Sequence, residues 1–154
     1  MKFKAIITSF LFFGVLATAY ASVQAADIKP DYSDETFTFS LSGFSEHDYT
    51  NGRKKGSNSS MYINNISDVE FNVKPEVDSK KGTGTKYVQA NKRGYFTAKP
   101  GKKYEVYNFA HENYWDGVHV RFHGHKDLWI NTVKAKVKWS PDYIPESGVN
   151  VVGL

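Results

Sequence analysis

The 154-residue chain contains no cysteine. This excludes a disulfide framework, a thiolate zinc site, a cysteine nucleophile and a lipid-modified cysteine anchor together. An exported chain without cross-links must be held by its core, which a chain of this length can build. Past the first 25 residues no apolar run approaches the roughly 20 residues that a membrane span requires. Nor does any later stretch sustain a 3.6-residue apolar period, so long amphipathic helices are not expected. Catalytic signatures are missing as well: there is no Gly-x-Ser-x-Gly elbow, no His-Glu-x-x-His and no phosphate-cradling glycine loop. Asp31, Asp34 and Glu35 fall in a lead segment and Glu70, Glu76 and Glu105 at outward strand positions, so no carboxylate pair across a cleft is identifiable. The expectation is a non-enzyme without cofactors.

What is present begins with a leader. Residues 1–25, "MKFKAIITSFLFFGVLATAYASVQA", place Lys2 and Lys4 before an apolar run from Ala5 to Ala19 and then small residues, the layout of a secretory signal peptide. A cut after Ala25 fits, and so does one after Ala21. Without Lys2 and Lys4 the formal charge of +4 falls to about +2, too little for nucleic-acid binding by bulk charge.

In "ETFTFSLSGF", Phe37, Phe39 and Leu41 alternate with Thr36, Thr38 and Ser40, the period of a half-buried strand. "SEHDYTNGRKKGSNS" reads as a long polar loop. "SMYINNI", "DVEFNVKPEV", "TKYVQA", "YFTA", "YEVYNFA", "VHVRFHG" and "LWINTVKAKVKWS" supply seven more strands, and "NKRG" reads as a short reversing turn. Pro75 suggests a strand end or a sheet edge, and Trp129 and Trp139 read as core. About eight strands spaced by turns predict an antiparallel β-sandwich or open barrel over residues 26–140. Residues 141–154 form a tail in which "VNVVGL" can add an edge strand.

The leader, the "FTFSLSG" strand, the middle "KYVQANKRGYFTA" and the closing "VKWSPD" together resemble a group of small secreted proteins of Gram-positive bacteria. The resemblance implies an exported β-domain and supplies no catalytic residues.

Residues 116–127, "DGVHVRFHGHKD", set His119, Arg121, His123 and His125 at every second position. His119 and His123 are four apart in a strand, hence about 13 Å apart, too far to share one zinc ion. Arg121 adds a fixed positive charge, and a third ligand would have to come from elsewhere, such as His111 or Glu112. The expected reading is an exposed polar strand face without a structural metal, His123 and His125 being the candidates for a weaker zinc or copper site.

Basic residues collect in turns: Arg53, Lys54 and Lys55; Lys80 and Lys81; Lys99, Lys102 and Lys103; and Lys126. These are alternate connections, so if every strand reverses direction they gather at one pole, suited to a cell-wall polyanion, an anionic lipid surface or an acidic protein. Tyr114 and Trp115, in "HENYWDG", form a second candidate surface, either exposed or folded back over the core. The expected function is a small secreted, non-enzymatic binding domain at the cell envelope or outside the cell. A secreted hydrolase or metal-dependent enzyme using the histidine strand, and a toxin-like protein, are the alternatives.

Overall fold

The alternation of phenylalanine with threonine builds the first strand, β1 (Glu35–Leu41), of a computed structural model that describes residues 28–81, 85–126 and 131–153. Ten more strands follow in chain order among these residues. They are β2 (His47–Tyr49), β3 (Arg53–Lys54), β4 (Met61–Asn65), β5 (Phe71–Asp78), β6 (Tyr87–Gln89), β7 (Phe96–Ala98), β8 (Lys103–Val106), β9 (His119–His125), β10 (Val133–Ser140) and β11 (Asn150–Val152). A single helical turn, α1 (Ala110–Asn113), interrupts them. The leader and Trp129 lie outside the described residues.

The strands form two sheets, as an all-β sandwich requires. The first has the order β1-β10-β4-β8-β11, antiparallel except that β11 runs parallel to β8. The second has the order β2-β9-β5-β6, with β3 also on β9 and β7 also on β5. Inward residues of both sheets make one core: Phe39, Leu41, Met61, Ile63, Ala135, Val137 and Trp139 meet Phe71, Val73, Val77, Val120 and Phe122. Phe39 lies against Gly124 so closely that a Cβ there would stand 2.6 Å from its ring, so the β9 glycine sets the approach of the two layers at that point.

Three sequence expectations change here. The segment after β1 is not all loop, because β2 and β3 pair along one edge of β9. Pro75 lies within β5, between β9 and the β6–β7 side, rather than at a strand end. Its carbonyl accepts from the Ala90 N–H at 2.9 Å, so its missing donor points toward β6 and β7, where that partner strand is itself broken. And "NKRG" does not reverse the chain, since β6 and β7 are both antiparallel to β5 and therefore run the same way.

Candidate functional site

The missing reversal divides the expected basic pole. Lys99, Lys102 and Lys126 stay together at the start of β5: Lys102 O accepts from Asn65 N at 3.0 Å, Ala98 pairs with Phe71, and Lys126 Nζ donates to Glu70 O at 2.6 Å. Lys54, Lys80 and Lys81 lie at its other end, where Lys54 pairs with His119 and Lys81 Nζ sits 5.9 Å over the Trp115 ring. Tyr114 and Trp115 are half-buried against the core. Lys103 lies on the first sheet and pairs with Glu146 at 2.8 Å.

Two further members of that pole face inward. Arg53 binds Asp31 at 2.6 Å, donates to the carbonyls of Ser33 and Trp139, and lies over the Trp139 ring. Lys55 is fully buried, donating to Pro141 O at 2.8 Å and to Asp142 Oδ1 at 3.2 Å. Burial would raise the Asp142 carboxyl, but Ser57, the backbone N–H groups of Gly56 and Asp31, and Lys55 outweigh it and hold the group below the ordinary range. These bonds tie the lead segment and the β3–β4 loop to the end of β10, which is structural work for residues expected at a binding pole.

The outer face of the second sheet is not simply wet. Register places His47 opposite His125 and Tyr49 opposite His123 on β2–β9, and Glu76 opposite Arg121 on β5–β9. Outward side chains from β2, β5, β6 and β9 therefore converge. Glu76 is the hub: its carboxylate accepts from Arg121 Nε at 2.9 Å and from His123 Nδ1 at 2.7 Å, with Lys74 Nζ at 3.5 Å. Arg121 is held between the Tyr49 and Tyr87 rings, 4.0 and 3.9 Å from their centroids. The Tyr95 hydroxyl reaches the His123 ring at 3.0 Å. Under this cover His123 is only 7% exposed.

The charges follow from the contacts. Burial would raise Glu76, yet its hydrogen bonds to His123 and Arg121 bring it to about 2. Burial and the nearby Glu76 and Tyr49 push Tyr95 up to about 12. His47 is lowered by burial and by His125 and His123.

One further cluster joins this face. Glu46, His47 and His125 each offer a ligating atom, all within 4.8 Å of one another. Only His125 of the three was visible as a candidate in the sequence. His111, considered there as a third ligand, instead pairs with Asp116 at 3.0 Å. His47 and Tyr49 were hidden because a three-residue strand in a polar segment shows too little alternation to be read; the x in His47-x-Tyr49 is the sole trace of it.

The outer face of the first sheet differs. Lys134, Lys136 and Lys138 project from β10 and are exposed, with exposed Ser40, Thr38 and Thr36 opposite them on β1. Among the described residues none of these three lysines makes an ion pair with a carboxylate. On β4 and β8 the row from Lys138 continues through Asn64 to Lys103. Beside it lies an open cleft of about 290 Å³ lined by Tyr62, Tyr143, Asp34 and Glu146, in which the two tyrosine rings stack 5.0 Å apart.

Fold and surface thus define a two-sheet β-sandwich that carries polar side chains on both outer faces. The chain belongs to the family described as Protein of unknown function (DUF2712), which matches residues 21–143. No curated protein and no solved structure matches it.

Proposed function

We propose that this is a small secreted, non-enzymatic binding domain of a Gram-positive bacterium, and that it engages phosphate-bearing polyanions of the cell envelope through the outer face of its first sheet. The leader pattern of residues 1–25 supports export. The observation that carries the binding reading is the row Lys134, Lys136 and Lys138, which stands exposed, without carboxylate ion pairs among the described residues and bordered by hydroxyls. Alternate residues of a strand are about 7 Å apart on one face. A polymer with regularly spaced anionic groups can lie along such a row, the ammonium groups supplying charge and the hydroxyls of Thr36, Thr38 and Ser40 supplying directed donors. This face replaces the loop pole expected from the sequence.

The test is binding of the purified protein to inorganic polyphosphate and to phosphatidylserine vesicles, alongside a variant with Lys134, Lys136 and Lys138 all changed to Gln. Binding should weaken with added salt, because exposed charges are screened over about 10 Å at 0.1 M ionic strength. At about 1 kcal/mol per lysine beside an anionic surface, the triple variant should lose about 100-fold in affinity. A variant that binds both probes as well as the parent overturns the reading.

A further inference from the structure

The geometry points to a metal site: we propose that Glu46, His47 and His125 together hold one divalent zinc-type cation on the outer face of the second sheet, with His123 and Glu76 orienting His47 from behind. The proposal is independent of the lysine face.

The ligand set comes from pairing rather than from sequence spacing. His47 and His125 are directly opposite in the β2–β9 ladder, a position that brings Cβ atoms to about 5 Å. Their rings already stack at 4.5 Å, and the Glu46 side chain comes from the residue before β2. Tetrahedral zinc with bonds near 2.1 Å needs its ligand atoms about 3.4 Å apart. The three atoms, within 4.8 Å of one another, need only small side-chain rotations to close around an ion, and His47 is exposed. Two imidazoles and a carboxylate form a recognised zinc set that keeps a fourth position for water or a ligand.

The hydrogen bonds around the imidazoles are compatible with the forms a metal needs. A carboxylate and a backbone carbonyl only accept, so each bond to them assigns a proton. His123 Nδ1 donates to Glu76 at 2.7 Å, which leaves the lone pair of neutral His123 on Nε2. That atom lies 2.9 Å from His47 Nδ1 and 3.0 Å from the Tyr95 hydroxyl, and a bond donated to it by His47 leaves the His47 lone pair on Nε2. His125 Nδ1 donates to the Glu46 carbonyl at 3.2 Å. Metal-binding histidines generally donate their second N–H to a carboxylate, carbonyl or similar acceptor in this way, which orients the ring and raises its basicity.

The Glu76 carboxylate offsets part of the repulsion that the cations of this face exert on a bound metal ion. Arg121 is committed to Glu76 and enclosed by two tyrosine rings, and Lys74 lies beside Glu76 and over the Tyr95 ring.

Calorimetric titration of the purified protein with zinc chloride tests the site. One equivalent should bind with a dissociation constant on the order of 1 μM or tighter. Loss of an orienting partner alone costs roughly 10- to 100-fold in affinity, so His47→Gln and His125→Gln should each cost at least about 100-fold. Glu46→Gln leaves both histidines and the Glu46 carbonyl in place and should cost at least about tenfold, which keeps the proposal testable if a histidine variant misfolds. The ring nitrogen signals of His47 and His125 should shift on zinc addition while those of His111 and His119 stay, and the Lys134, Lys136, Lys138 triple variant should bind zinc as the parent does. The proposal is overturned by absence of a one-to-one binding event, by weak uptake of several equivalents, by unchanged affinity in the folded His47→Gln variant, or by loss of binding in His119→Gln.

Discussion

The outer faces of the two sheets use polar residues in opposite ways. On the first, Lys134, Lys136 and Lys138 extend into solvent from a strand whose inner row is the buried Ala135, Val137 and Trp139. On the second, Glu76, Arg121 and His123 are roofed by Tyr49, Tyr87 and Tyr95, so the Glu76 and Arg121 charges and the His123 ring satisfy one another rather than water. The difference arises from what flanks the central strand. β10 has short hydroxyl side chains beside it on β1, whereas β9 and β5 have tyrosines on both sides, and a tyrosine can cover a neighbouring charge with its ring while its hydroxyl bonds. A polar outward position therefore means a replaceable surface in one sheet and a structural network in the other.

The sharpest separation should come from Glu76→Gln. Removing the carboxylate charge leaves Arg121 and the hydrogen-bonded His123 without their partner beneath the tyrosine cover. Breaking a buried ion pair from one side typically costs about 3–5 kcal/mol, and the partial exposure of Arg121 places this case near about 3 kcal/mol. Urea denaturation at neutral pH measures it. A loss below about 1 kcal/mol would mean that the two faces are energetically alike.

Acid should reproduce much of that effect in the parent. The Glu76 carboxyl titrates near 4.5 when unfolded and at about 2 when folded, so its folded value is depressed. Its contribution is thus fully present above pH 4.5 and is lost as the pH falls toward 2, amounting to about 3 kcal/mol. Asp142 and Asp31 are also lowered and add in the same direction. Stability measured by denaturation between pH 5 and pH 2 should fall steeply in the parent and less steeply in Glu76→Gln. Equal slopes would remove Glu76 as the source.

Much of the architecture was legible in the residues. Phe37, Phe39 and Leu41, or Val133 to Trp139, announce their strands because one face is apolar and the other is not. β2 could not be read in that way: it is three residues long, and its claim to be a strand lies in backbone pairing with β9. With β2 unread, His47 had no partner, and the histidines of β9 seemed to face water alone. The basic pole failed for a related reason. Counting connections presumes that each one reverses the chain, but the 90–95 segment lets β6 and β7 continue along β5 in one direction, which sends Lys99 and Lys102 to the end opposite Lys80 and Lys81. Lys55 was misread because burial of a lysine depends on an acid that arrives from 87 residues away in the sequence. Local pattern carries alternation; it does not carry who stands opposite whom.

The smallest effect should come from the face that carries the binding proposal. Changing Lys134, Lys136 and Lys138 together to Gln removes three exposed charges that make no ion pair with a carboxylate among the described residues, and exposed substitutions of this kind usually shift stability by within about 0.5 kcal/mol each. The expected sign is slightly stabilising. Like charges about 7 Å apart repel by about 0.6 kcal/mol per neighbouring pair in water, and salt reduces this further. Nearby Asp34, which interacts favourably with Lys138, offsets part of the gain. The triple variant should therefore unfold at the same or slightly higher urea concentration than the parent at low ionic strength, and the difference should vanish at 0.5 M salt, beyond which the Debye length is only a few ångströms. A destabilisation above about 1.5 kcal/mol that persists in high salt would show that the lysine stems pack on this sheet as the tyrosines do on the other, and the contrast between the two faces would no longer hold.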